Sequence, residues 1–258
     1  MGEVTPLFIC GMGRSGTTNA LRILNAHPSV MLNGEVALSV QKYLFALLDG
    51  ADRSYSAKDG VNERWHERKV DYIFDSFGYL SKGGRGKLTK VPEARYRGHK
   101  TPRMETFFDQ YERHFGDAGL PPRYFFCTRN PFDCWRSYKV MTWNRYTKVD
   151  EFLAHYVQSF ENLQRMRDQA GGRVWVLNLD ELKAAPDAIA WYGEKIFAPL
   201  GLDTPDSIAR RADRMNREKQ ASSPPPIGAE EQAAIAAHPQ ILPIVTSMFP
   251  EFAARARK

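Results

Sequence analysis

The chain has 258 residues, of which 43% are hydrophobic and 26% charged, and its net charge is +6. This length is enough to bury a substantial core, and we expect one domain over residues 1–258. A membrane protein and a disulfide scaffold are excluded, because no segment approaches roughly 18 apolar residues and three cysteines cannot form a paired framework.

The first half of the chain predicts a β–α–β start followed by further helices. Apolar runs of strand length alternate there with runs of helical period. Strands are predicted at 6–10 and 29–33, and helices at about 17–26, 36–48, 64–80 and 104–115. A polar stretch lies near 49–62. Residues 81–87 are basic and glycine-rich, which predicts either a solvated loop or a lid over an acidic acceptor.

The second half continues the alternation. Strands are predicted at 124–128 and 173–179, and helices from Pro131, over about 149–170 and near 186–198, with two short helices at the end. Residues 215–227 are polar and basic and run into three consecutive prolines, so no regular element is expected there.

A glycine-rich turn at residues 8–18, with the sequence FICGMGRSGTT, follows the first strand. Free backbone N–H groups and the positive end of the next helix make such a turn suitable for phosphate. The segment matches two phosphate-binding motifs, and a turn that binds nothing is a third interpretation.

The first motif is the dinucleotide fingerprint G-x-G-x-x-G, formed by Gly11, Gly13 and Gly16. Glu35 lies 19 residues after Gly16, near the position of a ribose-binding acid. Polar residues fill the turn and begin the helix, however, where this motif requires small apolar residues for close packing.

The second motif is the P-loop G-x-x-x-x-G-K-[ST], in which Thr17 replaces the lysine. An ordinary ATP or GTP site would then lack the charge that bridges the outer phosphates. Arg14 could supply that charge. A cation moved upstream suggests a phosphate-type group that carries a different transferable moiety.

The residues Arg14 to Thr18 resemble the 5′-phosphosulfate loop of sulfotransferases that use 3′-phosphoadenosine 5′-phosphosulfate (PAPS). That family has a second signature, for the 3′-phosphate of PAPS, which is an arginine that ends a strand and a serine eight residues later. Arg129 and Ser137 have this spacing here. The resemblance implies a three-layer, P-loop-like α/β fold around a mainly parallel sheet.

Within the family, the chain is most similar to the Golgi-type enzymes, including tyrosylprotein sulfotransferases, and to bacterial sulfotransferases. Their catalytic glutamate falls on Glu35, after Gly34. Their catalytic lysine, with a proline two residues later, falls on Lys100. The cytosolic branch has a catalytic histidine where this chain has Pro102, so the base is expected to be a carboxylate.

The resemblance assigns a role to each site residue. Glu35 would take the proton of the attacking hydroxyl, and Arg14 and Lys100 would stabilise the negative charge of the transition state. The residues that would bind PAPS, or its product 3′-phosphoadenosine 5′-phosphate (PAP), are Arg14, Ser15, Gly16, Thr17, Thr18, Arg129, Ser137, Arg217 and Lys219. No metal is required, because side chains supply the cations.

The acceptor is expected to be a hydroxyl of a carbohydrate or glycolipid, with a peptide tyrosine second. No nucleic-acid partner and no membrane span are expected, and the absence of a signal-peptide pattern indicates the cytoplasm. The alternatives are an NAD-dependent oxidoreductase and a non-catalytic nucleotide-binding protein. A metal-dependent kinase is a further alternative, and it would need a magnesium ligand, for which Asp180 is the candidate. Within the sulfotransferase interpretation, His99 is the alternative to Glu35 as the base.

Overall fold

The computed structural model describes residues 4–55, 61–81, 94–142, 144, 146–209 and 226–250. In these residues five strands form one sheet in the order β2-β3-β1-β4-β5, and all neighbouring strands are parallel. The parallel sheet predicted from the sequence is therefore confirmed. The strands are β1 (Thr5–Cys10), β2 (Val30–Asn33), β3 (Tyr96–Lys100), β4 (Arg123–Thr128) and β5 (Val174–Asn178).

Helices connect the strands and follow the last one. They are α1 (Thr17–Leu24), α2 (Leu38–Tyr55), α3 (Val61–Leu80), α4 (Phe108–Gly116), α5 (Pro131–Lys139), α6 (Val149–Ala170), α7 (Leu179–Ala184), α8 (Ala188–Tyr192), α9 (Ala229–Ala237) and α10 (Ile241–Met248). Among these described helices none is long and apolar enough to cross a membrane.

The sheet is the middle of three layers. Successive residues of a strand point to opposite faces, so Phe8 packs with α2, α3, α4 and α6, while Leu7 and Ile9 pack with α1 and the segment around α8. Both faces are covered by helices, which explains why the strands β1 and β4 are almost entirely apolar. The three-layer, P-loop-like α/β fold is the one expected.

Strand β3 was not among the predicted elements. Its sequence, Tyr96 to Lys100, is YRGHK, and such a polar segment lacks the apolar run that indicates a buried strand. In the structure it lies between β2 and β1, with His99 and Lys100 buried. The side chains of His99 and Lys100 have hydrogen-bond partners inside the protein, so the burial of these two residues does not leave their polar groups unpaired.

Helix α2 is longer than the predicted 36–48, because the polar residues that follow are part of it. Asp52 faces α3, where its carboxylate accepts hydrogen bonds from Trp65 Nε1 (2.6 Å) and from Lys69 Nζ (2.7 Å). The polar stretch noted near 49–62 is thus partly a polar contact between two helices.

The same contact includes a cluster with the residue types of a metal site. Asp49, Asp52 and His114 place one ligand atom each within 4.8 Å of one another. However, the buried ammonium of Lys69 is bonded to Asp52, and Arg113 is paired with Asp49. Since side-chain cations already compensate both carboxylates, the cluster is a polar contact between α2, α3 and α4.

The region after β5 also differs from its prediction. The strand ends at Asn178, whose side chain accepts a hydrogen bond from the backbone of Asp180 and so starts α7 at once. The single helix predicted near 186–198 is α8 followed by a π-helical segment, Gly193–Phe197, and a 3₁₀ turn, Ala198–Leu200.

Candidate active site

The predicted site residues of the first four strands gather at one edge of the sheet. The glycine-rich loop follows β1, Glu35 follows β2, Lys100 ends β3 and Arg129 follows β4. Because all four strands are parallel, their carboxyl ends lie at the same edge, where open α/β sheets bind ligands.

Two glycines of the loop are required by close packing. A Cβ atom on Gly11 would lie 2.1 Å from the carbonyl oxygen of Cys127, and its φ is +105°. A Cβ atom on Gly13 would lie 2.0 Å from the hydroxyl oxygen of Tyr138. The loop is therefore fitted tightly against the end of β4 and against α5.

The loop leads directly into α1, which begins without a side-chain cap. Its N-cap is Gly16, and its first turn contains no acidic residue. The side chain of Ser15 points inward, with its hydroxyl donating to the carbonyl of Met12 (2.5 Å). Thr17 is buried and Thr18 is exposed. The first backbone N–H groups of α1 are thus without a side-chain cap and suited to an anion.

The two sequence signatures meet in the structure. Arg14 has φ +68°, and its Nε donates a hydrogen bond to Ser137 Oγ at 2.9 Å, across 123 positions of the chain. A left-handed conformation is uncommon for a non-glycine residue. Here it accompanies a side chain that reaches from the loop to α5.

Glu35 and Lys100 form an ion pair, with Lys100 Nζ 2.5 Å from Glu35 Oε1. The same ammonium donates to Thr18 Oγ1 at 3.3 Å. The Lys100 side chain is 4% exposed, whereas that of Glu35 is 37% exposed. The pair therefore links the ends of β2 and β3 to the start of α1, with the carboxylate on the solvent side.

Arg129 lies beside an anion but keeps one donor without a partner. Its guanidinium is 3.1 Å from Asp133, and its buried Nε has no hydrogen-bond partner among the described residues. Asp133 also meets Arg136 and Lys183 at 2.9 Å each. Lys183 also pairs with Asp180 at 2.9 Å, so three cations face two carboxylates, which leaves capacity for a further anion.

The pKa of Asp133 reflects this surrounding. Burial alone would raise it, but Arg129, Lys183 and Arg136 together lower the pKa from 3.8 to about 2. The carboxylate is therefore ionised at neutral pH and pairs with all three cations.

An apolar pocket lies next to the loop, between α1 and α8. Its lining consists of Ser15, Gly16, Asn19, Ala20, Cys127, Leu177, Leu179, Leu182, Trp191, Tyr192 and Ile196. Within the described part of the chain, Asn19 Oδ1 and Trp191 Nε1 are buried without a hydrogen-bond partner. One unpaired acceptor and one unpaired donor thus lie among its lining residues.

Sequence reasoning missed Glu105, which lies beneath the loop. It is 1% exposed, accepts a hydrogen bond from the Gly11 N–H (3.0 Å) and accepts another from Ser159 Oγ (2.5 Å). No local motif could have indicated it, because its partners are 94 and 54 positions away. Arg217 and Lys219 fall outside the described residues, as does most of the basic stretch 81–87.

His99, the alternative base, and Asp180, the candidate magnesium ligand, are both buried. His99 is fully buried, and burial together with Lys100 lowers its pKa to about 3. Asp180 is buried and accepts hydrogen bonds from Asn130 N, Asn130 Nδ2 and Lys183 Nζ. Neither side chain is exposed to an acceptor or a metal in this arrangement.

The strand order bears on the dinucleotide alternative. In a dinucleotide fold β2 pairs with β1, in the order 3-2-1-4-5-6, so that an acid ending β2 reaches the ribose. Here β3 lies between them. Glu35 is therefore separated from the loop by a strand and pairs with Lys100 instead.

Comparisons with known proteins agree with this geometry. A model described as "Sulfotransferase family" matches residues 6–206. The chain belongs to the sulfotransferase family. A comparison with curated proteins finds no match.

Solved structures show the same fold. A sulfotransferase from Alicyclobacillus acidocaldarius is 16% identical, with a TM-score of 0.57 over 98% of this chain and 99% of that one. The sulfotransferase STF9 from Mycobacterium avium is 15% identical, with a TM-score of 0.54 over 96% of this chain and 78% of that one. At these identities the similarity establishes the fold.

Proposed function

We propose that this protein transfers the sulfuryl group of PAPS to a hydroxyl group of an acceptor. The observation that carries the proposal is the hydrogen bond between Arg14 and Ser137. It joins the two segments that resemble the 5′- and 3′-phosphate signatures of the family, at the edge of the sheet where ligands bind.

The fit to PAPS rests on three features of the site. The uncapped start of α1 suits the 5′-phosphate, with Thr17 and Thr18 beside it. The unpaired Nε of Arg129, with Ser137 nearby in α5, suits the 3′-phosphate. The adenine ring, which has hydrogen-bond donors and acceptors on its edges, is assigned to the open side of the pocket next to the loop, near the unpaired atoms of Asn19 and Trp191. Arg217 and Lys219 stay proposed contacts of the adenosine and 3′-phosphate.

PAPS would supply an activated sulfuryl group, and the protein would supply position and charge. Transfer of such a group has a loose, anionic transition state by analogy with phosphoryl transfer. Lys100 has three N–H donors, so it can keep Glu35 and Thr18 and offer a third N–H to the developing charge. Arg14 would act on the same charge.

Glu35 is the proposed general base. Its carboxylate is on the solvent side of the pair with Lys100, where an acceptor hydroxyl can approach. Lys100 binds Oε1, and the second oxygen can accept the proton. The acceptor that we propose is a carbohydrate or glycolipid hydroxyl, with a peptide tyrosine second, on the basis of the sequence resemblance at Gly34 and Glu35.

Two substitutions separate donor binding from chemistry. Arg129→Ala should weaken PAP binding about 10- to 100-fold, because a hydrogen bond to a charged group contributes roughly 1.5–3 kcal/mol. Glu35→Gln should leave PAP binding within about twofold and reduce transfer by about 10²- to 10⁴-fold, the range of general base catalysis. Calorimetric titration with PAP and a transfer assay with PAPS measure the two effects.

Arg165→Ala is the matched control, since it removes the same charge from an exposed ion pair with Asp109. It should change neither quantity. Equal loss of PAP affinity in Arg129→Ala and Glu35→Gln would contradict the assigned roles. Binding of PAP without transfer to any acceptor would instead indicate the non-catalytic alternative.

A further inference from the structure

Five buried groups behind the candidate base form a closed ring of hydrogen bonds. Their heavy-atom separations are 3.1 Å for Thr101 Oγ1 to His99 Nδ1, 2.6 Å for His99 Nε2 to Tyr111 OH, and 2.8 Å for Tyr111 OH to Gln41 Oε1. The ring closes with Gln41 Nε2 to the Val36 carbonyl (2.7 Å) and the Val36 N–H to Thr101 Oγ1 (3.0 Å). Three elements contribute to it, namely α2 with Gln41, β3 with His99 and α4 with Tyr111, and Val36 and Thr101 lie in the segments that follow β2 and β3.

Only one assignment of donors and acceptors around the ring gives every member a hydrogen bond. The Val36 carbonyl can only accept, so it fixes the Gln41 amide with its NH₂ toward Val36 and its oxygen toward Tyr111. Tyr111 has a single proton, which the buried Gln41 oxygen requires. Tyr111 therefore accepts from His99, and the imidazole carries its proton on Nε2.

The remaining members follow from this tautomer. His99 Nδ1 is then an acceptor, and the Thr101 hydroxyl donates to it while accepting the Val36 N–H. Thr101 Oγ1 also lies 3.2 Å from the Val36 carbonyl oxygen, which is a second possible acceptor for the hydroxyl proton. That carbonyl oxygen already accepts from Gln41 Nε2 at 2.7 Å, whereas Thr101 Oγ1 is the partner of His99 Nδ1. The hydroxyl proton is therefore assigned to His99 Nδ1. The low pKa of His99, about 3, keeps the imidazole neutral, as the ring requires.

The position of the ring gives it a consequence for the site. Val36 directly follows Glu35, and Thr101 directly follows Lys100. The two backbones are thus joined one residue away from the ion pair, and Glu35 itself lies in a segment without regular secondary structure. Both backbone groups of Val36 are held from inside the protein, although the segment lies at the surface.

We propose that this ring holds Glu35 in place against Lys100, so that the carboxylate can take the proton of the acceptor hydroxyl. Four side chains are then positioning residues, namely those of Thr101, His99, Tyr111 and Gln41. The inference rests on the proposed function in one respect, the role of Glu35 as base. None of the four side chains needs to touch the substrate. Because a displacement of about 1 Å can reduce a rate roughly 10²-fold, loss of the ring should reduce kcat.

The test removes one hydroxyl from the ring. Tyr111→Phe should lower kcat about tenfold or more while KM for PAPS and the Kd of PAP stay within about twofold. It should also speed hydrogen exchange at the Val36 amide. In the parent protein, ¹⁵N NMR of His99 should show the proton on Nε2.

Tyr124→Phe is the matched control. Tyr124 is also buried in the core, but its hydroxyl bonds to Glu112, away from the site. It should leave kcat and Val36 exchange unchanged. Thr101→Val breaks the ring at another member and should repeat the Tyr111→Phe result, which guards against a local packing defect at Tyr111.

Each outcome decides the matter. Unchanged Val36 exchange in Tyr111→Phe, or a His99 proton on Nδ1, would overturn the ring itself, whether or not the protein transfers sulfate. Faster exchange with an unchanged kcat would overturn the positioning role. If Glu35→Gln keeps full activity while Tyr111→Phe still loosens Val36, the proposed base is wrong and the ring stands, but it positions no catalytic group.

Discussion

Glu105 carries a carboxyl group in a buried position beneath the loop. Burial raises the pKa of Glu105 above its ordinary value of 4.5, and hydrogen bonds from Ser159 and Gly11 only partly oppose this. The folded protein therefore holds the Glu105 proton more tightly than the unfolded chain does. Its contribution to stability is full below pH 4.5 and is lost as the pH rises through the folded pKa.

We therefore expect Glu105→Gln to be more stable than the parent protein at pH 7. The glutamine oxygen can still accept from the Gly11 N–H, and its NH₂ can donate to Ser159, but no buried charge remains. The gain should disappear below pH 4.5. Urea unfolding at pH 7 and at pH 4 measures the difference.

The control for this prediction is Glu161→Gln, at an exposed position of α6. It should change stability by less than about 0.5 kcal/mol at either pH. A Glu105→Gln variant that is less stable at pH 7 would mean that the carboxylate is needed to hold the loop.

At the scale of elements, the contact between the loop and α5 is set by Gly13. A methyl group there would overlap the hydroxyl oxygen of Tyr138, at 2.0 Å, and would be 3.0 Å from its Cζ. Gly13→Ala should therefore cost about 1–3 kcal/mol of stability, as overpacking typically does. The measurement is the free energy of unfolding in denaturant.

Removing the Tyr138 hydroxyl provides an internal check on this cause. In Gly13→Ala/Tyr138→Phe the methyl group has more space, so the double variant should be more stable than the sum of the two single changes indicates. Strict additivity would show that the loop avoids the overlap in another way.

How far the sequence predicts the elements depends on what each buries. The apolar strands β1 and β4 and the long helix α6 were predicted because their patterns are local. Strand β3 was not, since its polar residues are stabilised by partners on other elements: Lys100 by Glu35, and His99 by Tyr111. Motif spacing nevertheless selected Lys100 without its strand.

The same reasoning explains which parts of the candidate site were missed. Arg14, Glu35 and Lys100 belong to recognisable motifs, and the structure brings them to one edge of the sheet. Glu105 and Gln41 have no motif, and their contacts with Gly11 and Tyr111 join positions 94 and 70 residues apart. Only the folded chain shows such contacts.

For the whole molecule, the proposed donor predicts a ligand-dependent stability. PAP at 100 times its Kd should add roughly 2.7 kcal/mol, which corresponds to a rise in Tm of about 5–10 °C for a chain of this size. NAD⁺ and ATP with magnesium, tested side by side at equal concentration, should give no comparable rise. Differential scanning fluorimetry is sufficient.

Arg129→Ala links this global response to the site, since at the same PAP concentration a Kd 10- to 100-fold weaker leaves only about 0.4–1.4 kcal/mol, a rise of about 1–5 °C. The Tm of the free protein should stay within a few degrees of the parent. A rise with NAD⁺ and none with PAP would be incompatible with the proposed donor. It would restore the dinucleotide interpretation of Gly11, Gly13 and Gly16.

The position of β3 between β2 and β1 divides the carboxyl edge of the sheet into two sides, one formed by β2 and β3 and the other by β1, β4 and β5. Under the proposed function, the nucleotide occupies the side of β1, β4 and β5, and the acceptor approaches from the side of β2 and β3. The ammonium of Lys100 lies between the two sides and donates hydrogen bonds to both Thr18 and Glu35. Under the proposed function, substitutions of exposed residues on the side of β2 should therefore change the choice of acceptor while PAP binding stays the same.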